Sequence, residues 1–250
     1  MKVIAVNGIT KSGKTTVCET IISGLREKGF TVGSVKEIHN ELFKIDPDPQ
    51  RNTNRHKIAG SQLVIARGLF ETDVLYQSML PIEDILKHFN HDYVILEGVT
   101  DLNCPRILTG HSIEEIQERK DERCILVSGV LANQQDTIIC GLPVINCLNE
   151  KEKLVDFVIE HAINPLPNFD PDCCDYCGYN CNEFTNLVIS GKEDSNKCIV
   201  NSQSISLTLD GKKIDMVPFV EIILKNNVLA CVKELDGFKK DAIIEIKFKS

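Results

Sequence analysis

Read for hydrophobic and polar positions, the chain alternates short apolar runs with amphipathic stretches over its first 160 or so residues. Val3 to Val6 form a continuous apolar run, and Val17, Ile21, Ile22 and Leu25 then recur at helical spacing until Gly29. Thr31 to Lys36 reads as a second strand, Gln62 to Ala66 and Val74 to Tyr76 as short ones, and Tyr93 to Leu96 as a buried central one. Helices are expected over Pro81 to Phe89, over Ser112 to Lys120 with a serine cap, and from Glu150 to His161 capped by Asn149. Cys124 to Val127 and Pro143 to Cys147 are further strand candidates. Strands alternating with helices predict an α/β fold of the P-loop NTPase type, with a doubly wound, mostly parallel sheet covered on both faces.

The pattern changes after three prolines between Asn164 and Pro171, which predict a linker over 164–171. Beyond it, Ser204 to Leu209 alternates, Asp210-Gly211 is a hairpin turn signal, and Lys212 to Met216 returns. Pro218 opens a helix that Gly237 stops, and Ile244, Ile246 and Phe248 alternate as a last strand. The expected domains are 1–163, carrying the parallel sheet, and 172–250, a smaller Cys-rich α+β unit.

Between the first strand and first helix stands Gly8-Ile-Thr10-Lys11-Ser12-Gly13-Lys14-Thr15-Thr16, the G-x-x-x-x-G-K-[ST] phosphate loop in its proper context. Glycines allow successive N–H groups to point inward, and the helix that follows adds its N-terminal dipole at the same spot. Lys14 supplies a charge for the β- and γ-phosphates, and the Thr15 hydroxyl is placed for Mg²⁺. The loop implies a nucleoside triphosphate, either GTP or ATP. Glu97 ends the central strand where such proteins face the magnesium or the attacking water, which makes it the catalytic candidate, and Gly98 beyond it can approach the γ-phosphate. A net charge of −8 argues against nucleic acid or an anionic membrane as partner. Neither a signal peptide nor a membrane-spanning run is evident, so a cytoplasmic protein is expected.

Eleven cysteines are many for this length, and five of them (Cys173, Cys174, Cys177, Cys181, Cys198) fall in one short segment. In a reducing compartment such clustering points to metal. Cys174, Cys177, Cys181 and Cys198 are the expected ligands, with Cys173 competing with Cys174, and either a [4Fe–4S] cluster or Zn²⁺ would take four thiolates. The remaining cysteines are expected to pack as small apolar residues.

Several of these residues together resemble the MobB family, the molybdopterin-guanine dinucleotide biosynthesis adapters. They are the phosphate loop, Val35-Lys36, Asp46, the run from Arg51 through Arg55-His56 to Ala59-Gly60, and Leu96-Glu97-Gly98. The likeness spans roughly residues 1–162. It implies GTP with Mg²⁺, weak hydrolysis at most, molybdopterin as a further ligand gripped by Arg55 and His56, and a homodimer. As partners it implies molybdopterin guanylyltransferase and other molybdoenzyme or cofactor-maturation proteins. Asn52 and Thr53 stand where the family has Asp-Ser, and Glu37 where a histidine follows the lysine. No guanine-reading Asn-Lys-x-Asp motif is present, so GTP over ATP follows from the resemblance alone. The Cys177-Gly178 segment resembles the small four-iron domain of several anaerobic redox proteins, with one residue fewer after Cys-Gly. The expected function is a GTP-binding adapter in molybdenum or tungsten cofactor maturation with an appended iron–sulfur module. Its rival is a GTPase switch for metallocentre maturation or redox sensing that never touches molybdopterin.

Overall fold

In β1 (Lys2–Gly8) the residues Val3, Ile4, Ala5 and Val6 are all fully buried, as a strand covered on both faces requires. It runs parallel to β5 (Tyr93–Glu97) on one side and to β6 (Arg106–Thr109) on the other. With β2 (Val32–Lys36) outside β5 and β7 (Cys124–Ser128) outside β6, the order is β2-β5-β1-β6-β7, parallel throughout. The chain completes one side of β1 before crossing to the other, so the C-terminal ends of β1, β5 and β6 flank a switch point. Open parallel sheets bind their ligands at such points. The computed structural model describes residues 1–39, 48, 50–134, 136–166, 177–198, 205, 207–209, 212–214, 216, 218–238, 244 and 246.

Strand alternation sorts the core into two faces. Ile4, Val6, Ile95 and Ile107 pack with α1 (Lys14–Glu27) through Val17, Ile21 and Leu25, and with α5 (Lys151–His161) through Leu154, Val155 and Val158. The alternate residues Val3, Ala5, Val94 and Leu96 meet Ile82 and Leu86 of α3 (Ile82–Leu86). Leu108 and Val127 meet Ile116 of α4 (Ile113–Arg119), whose cap Ser112 accepts a hydrogen bond from the Glu115 N–H. The expected α/β fold with a parallel, doubly covered sheet is therefore observed.

Several expectations need correction. The sequence from Glu37 to Arg55 is polar and rich in Asp, Asn, Pro and Arg, which reads as a long loop, yet α2 (Asn52–Ile58) begins inside it and carries Arg55 and His56, while Asp46 lies outside the described residues. β3 (Leu63–Arg67) and β4 (Thr72–Tyr76) form an antiparallel hairpin apart from the main sheet. Pro143 to Cys147 is not a full strand. β9 (Leu142–Pro143) pairs with β8 (Ile138–Ile139), and Val144 reaches the sheet by a single bridge to Val127. Asn146 then turns the chain by accepting from the Leu148 and Asn149 N–H groups at 2.9 and 3.3 Å. Asn149 is consequently not the cap of α5, whose N-cap is Glu150.

Past α5 the chain is tied back to the first unit. Val3 and Ile163 form an antiparallel bridge, Asn103 and Leu166 another, and Leu166 is buried with Phe184 and Cys198. Leu166 falls within the stretch expected as a linker, yet it packs as core. Phe184 belongs to α6 (Cys181–Ile189), which has a capping box of Asn180 and Glu183. Farther on, β10 (Leu207–Leu209) and β11 (Lys212–Ile214) pair antiparallel as expected, and α7 spans Pro218–Val232. Ile244 and Ile246 take no strand, and Phe248 lies outside the described residues. No helix among the described residues is long and apolar enough to cross a membrane.

Candidate functional site

At the switch point β1 delivers Gly8 into the phosphate loop. A side chain there would lie 2.1 Å from the Thr109 carbonyl oxygen, so only glycine lets the loop pass β6 this closely. Ser12 is fully buried, and its hydroxyl bonds the Ile9 carbonyl at 2.7 Å and the Thr109 hydroxyl at 2.6 Å. Its own carbonyl accepts from the Val130 N–H at 3.0 Å, so the segment after β7 braces the loop from behind. Thr10 and Lys11 form the exposed tip, with Lys11 at φ 62° and the Thr10 carbonyl 3.3 Å from His111 Nε2. Gly13 is the N-cap of α1 and no side chain caps that helix, which leaves its first N–H groups facing the loop. Thr16 sits in the first turn, where its carbonyl accepts from the Thr20 hydroxyl.

The charged groups gather where these strands end. Lys14 Nζ donates to the carbonyls of Gly8 and Ile9 at 3.0 and 2.5 Å. Burial lowers its pKa below the usual lysine value; Glu97 opposes that shift and Lys36 adds to it. The Thr15 hydroxyl donates to Glu97 Oε1 at 2.7 Å. Lys36 Nζ lies 2.8 Å from the same carboxylate oxygen and 3.2 Å from Thr15 Oγ1. The register explains this meeting, because Lys36 and Glu97 are directly paired at the ends of adjacent parallel strands. Beyond Glu97, Gly98 N–H bonds the Val6 carbonyl at 3.0 Å, and Asn7 Nδ2 holds the Val99 carbonyl at 2.8 Å. Asn7 Oδ1 is buried without a hydrogen-bond partner among the described residues.

These atoms fit a magnesium nucleotide. Thr15 Oγ1 and Glu97 Oε1 are hard oxygen donors that already face a cation, the Lys36 ammonium, and Mg²⁺ favours such oxygens. The loop N–H groups and the α1 terminus suit anionic phosphate. The nearby Cys18 thiol is pushed up to about 12 by burial, so it is protonated at neutral pH and serves packing.

Thus the structure brings Gly8, Ser12, Gly13, Lys14, Thr15, Glu97 and Gly98 together. It does not join Arg55 and His56 to them: both are exposed on α2, which lies beside β3. Of the expected metal thiols, Cys174 lies outside the described residues. Cys177 and Cys198 share a small apolar cluster with Phe184, and Cys181 opens α6. Cys198 follows a single 3₁₀ turn, Ser195–Lys197. Among the described residues no three such side chains are close enough to hold a metal ion. Sequence reasoning missed the part of Lys36 in this site, and with it Thr109, Val130 and Asn7. Only the pairing of β2 with β5 sets Lys36 beside Glu97.

Comparison with known proteins bears on the same region. A family model described as Molybdopterin guanine dinucleotide synthesis protein B (MobB) matches residues 3–128, which hold the five strands of the parallel sheet but for Lys2 at the start of β1. The crystal structure of Bacillus subtilis MobB superposes with a TM-score of 0.53 at 19% identity, covering 66% of this chain and 99% of that one. A second structure of the Bacillus subtilis protein gives 0.51 at 19% identity with the same coverage. These likenesses show the fold, and a third of this chain has no counterpart there. A Methanocaldococcus jannaschii protein, named "Putative molybdopterin-guanine dinucleotide biosynthesis adapter protein", is 27% identical over 99% of this chain and 97% of its own length. Sheet order, phosphate loop and family model agree: the chain belongs to the MobB family of molybdopterin guanine dinucleotide synthesis proteins.

Proposed function

We propose that this protein is a GTP-binding adapter that assists formation or delivery of molybdopterin guanine dinucleotide. The observation that carries the reading is the phosphate loop at the switch point of a MobB-family sheet, with Lys14 and the Thr15–Glu97 pair beside it. In this reading the triphosphate lies against Gly8, Thr10 to Thr16 and Gly98, and Thr15 with Glu97 holds Mg²⁺. The metal supplies charge neutralisation at the phosphates. Glu97 orients water or metal there, and hydrolysis is weak at most. Guanine preference rests on family membership. Arg55 and His56 are assigned to the anionic pyrophosphate of the molybdenum cofactor, since a guanidinium fork matches phosphate oxygens in pairs.

An adapter also needs surfaces for partners. The β3–β4 hairpin presents Leu69 and Phe70 at its tip, 95% and 99% exposed, the kind of apolar surface that a guanylyltransferase or a second copy of the chain would cover. The deciding experiment is mass spectrometry of the ligands carried by anaerobically purified protein. Pterin together with GTP is the expected result. Metal and nucleotide without pterin would move the assignment to a metallocentre-maturation switch. Glu97→Gln should weaken GTP binding about tenfold with Mg²⁺ present and far less in its absence, because it removes a charged ligand from the metal. Equal losses in both titrations would reduce Glu97 to a strand-end acid.

The second unit, proposed as a domain over 172–250, is assigned the four-thiolate centre of Cys174, Cys177, Cys181 and Cys198. Support comes from the spacing, from Cys177 and Cys198 sharing one cluster, and from Cys181 at the start of a helix, where the dipole favours a thiolate. Protein prepared without oxygen should be brown and bleach with dithionite, since iron–thiolate charge transfer absorbs in the visible and d¹⁰ zinc does not. Cys177→Ser or Cys181→Ser should remove most of the colour while GTP binding survives. Colourless protein with stoichiometric zinc would replace iron–sulfur by a structural zinc site. Colourless protein without metal would remove the centre altogether.

A further inference from the structure

We propose that Lys36 is a resident cation of the magnesium site, competing with Mg²⁺ for Thr15 and Glu97, so that the metal enters together with the nucleotide rather than ahead of it. This rests on the nucleotide-site reading above. The Lys36 ammonium is within hydrogen-bonding distance of both oxygens that would hold the metal, 2.8 Å from Glu97 Oε1 and 3.2 Å from Thr15 Oγ1. An ammonium and a divalent ion on those oxygens would lie a few ångströms apart and repel each other. Among the described residues one carboxylate, Glu97, joins the group, and Lys36 neutralises it.

A lone Mg²⁺ therefore has little to gain by entering: it must shed water and displace an ammonium for a single carboxylate. The triphosphate reverses the balance by adding negative charge on the far side of the metal. Exposure fits this role. The Glu97 side chain is 12% exposed and fixed at the strand end, while Lys36 is 54% exposed, a long flexible arm with solvent to move into. Lys14 repeats the arrangement on the phosphate side, resting on the Gly8 and Ile9 carbonyls. Each lysine satisfies groups of the site with a contact that ligand can replace. Lys36 is thus a positioning residue that sets how much Mg²⁺ the site demands.

The test is the Mg²⁺ concentration giving half-maximal binding of a fluorescent GTP analogue. In Lys36→Met it should fall about fivefold, because no part of the site is then held by an internal competitor. Lys36→Arg, which keeps the charge, should return it toward the wild-type value. A midpoint unchanged or raised in Lys36→Met overturns the proposal. Wild-type protein that binds no GTP with or without Mg²⁺ would fail the nucleotide reading itself, a different outcome from GTP binding whose Mg²⁺ dependence ignores Lys36. Should the variants not fold, a crystal structure of the wild type with Mg²⁺ and a non-hydrolysable GTP analogue decides. Lys36 Nζ should have left both oxygens, and retention of both contacts beside bound metal refutes the competition.

Discussion

Lys14→Ala is expected to abolish measurable GTP binding while the fold stays intact. Of the two lysines in the phosphate loop, Lys11 stands at the exposed tip, whereas the Lys14 ammonium rests on two carbonyls of the same loop, at 3.0 and 2.5 Å. Removing it leaves those carbonyls to water, because the site is partly open. On the ligand side the loss is larger: two charge-assisted contacts to phosphate disappear, at about 1.5–3 kcal/mol each, so affinity should fall by roughly a hundredfold or more. Its pKa, lowered by burial, shows what that ammonium forgoes in solvation and what an anionic partner would restore. Titration calorimetry with GTP and Mg²⁺ measures the loss, and a thermal melt checks the fold. Affinity equal to wild type would sink the assignment of this loop to phosphate.

Much of the fold was readable because burial on both sides of a parallel sheet leaves continuous apolar runs, as in Val3 to Val6 and Tyr93 to Leu96. β6 escaped notice because Arg106 opens it and a charged residue ordinarily marks the surface. Its guanidinium is buried while donating to Asp121 Oδ2 at 2.8 Å and the Thr100 carbonyl at 2.6 Å, partners separated from it in sequence, and its Nε is buried without a partner among the described residues. The phosphate loop was legible for the opposite reason. Its chemistry is local, with backbone N–H groups, lysine and threonine all within nine residues. Lys36 and Thr109 were not legible as site residues, since only strand register sets them beside Glu97 and Ser12. Four of the six scattered cysteines, Cys18, Cys104, Cys124 and Cys147, are buried as their apolar neighbours suggested, whereas Cys140 is half-buried and Cys231 exposed. Three of them, Cys18, Cys104 and Cys124, are pushed up to about 12 chiefly by burial, consistent with inert packing.

Gly129→Ala should damage both stability and the phosphate loop, though Gly129 lies far from that loop in sequence. It follows β7 with φ +75°, and a methyl there would sit 2.4 Å from the Ser12 carbonyl oxygen and 3.0 Å from Thr109 Cγ2. Neither neighbour can yield cheaply. The Ser12 carbonyl is backbone and accepts the Val130 N–H, while Thr109 is held by the Ser12 hydroxyl. Left-handed backbone costs an alanine about 1–2 kcal/mol before any clash, and pushing the two loops apart should bring the total to about 3 kcal/mol. For a chain of this size that lowers the melting temperature by on the order of 10 °C. GTP binding should weaken alongside, because the shift breaks the brace that sets Ser12 and hence the N–H groups around the phosphates. Gly29→Ala is the control: φ is +89°, nothing lies within 4 Å of the added carbon, and Gly29 follows the far end of α1. It should show the conformational cost alone, with GTP affinity unchanged. If both variants lose the same stability and both bind GTP like the wild type, the segment after β7 does not brace the phosphate loop.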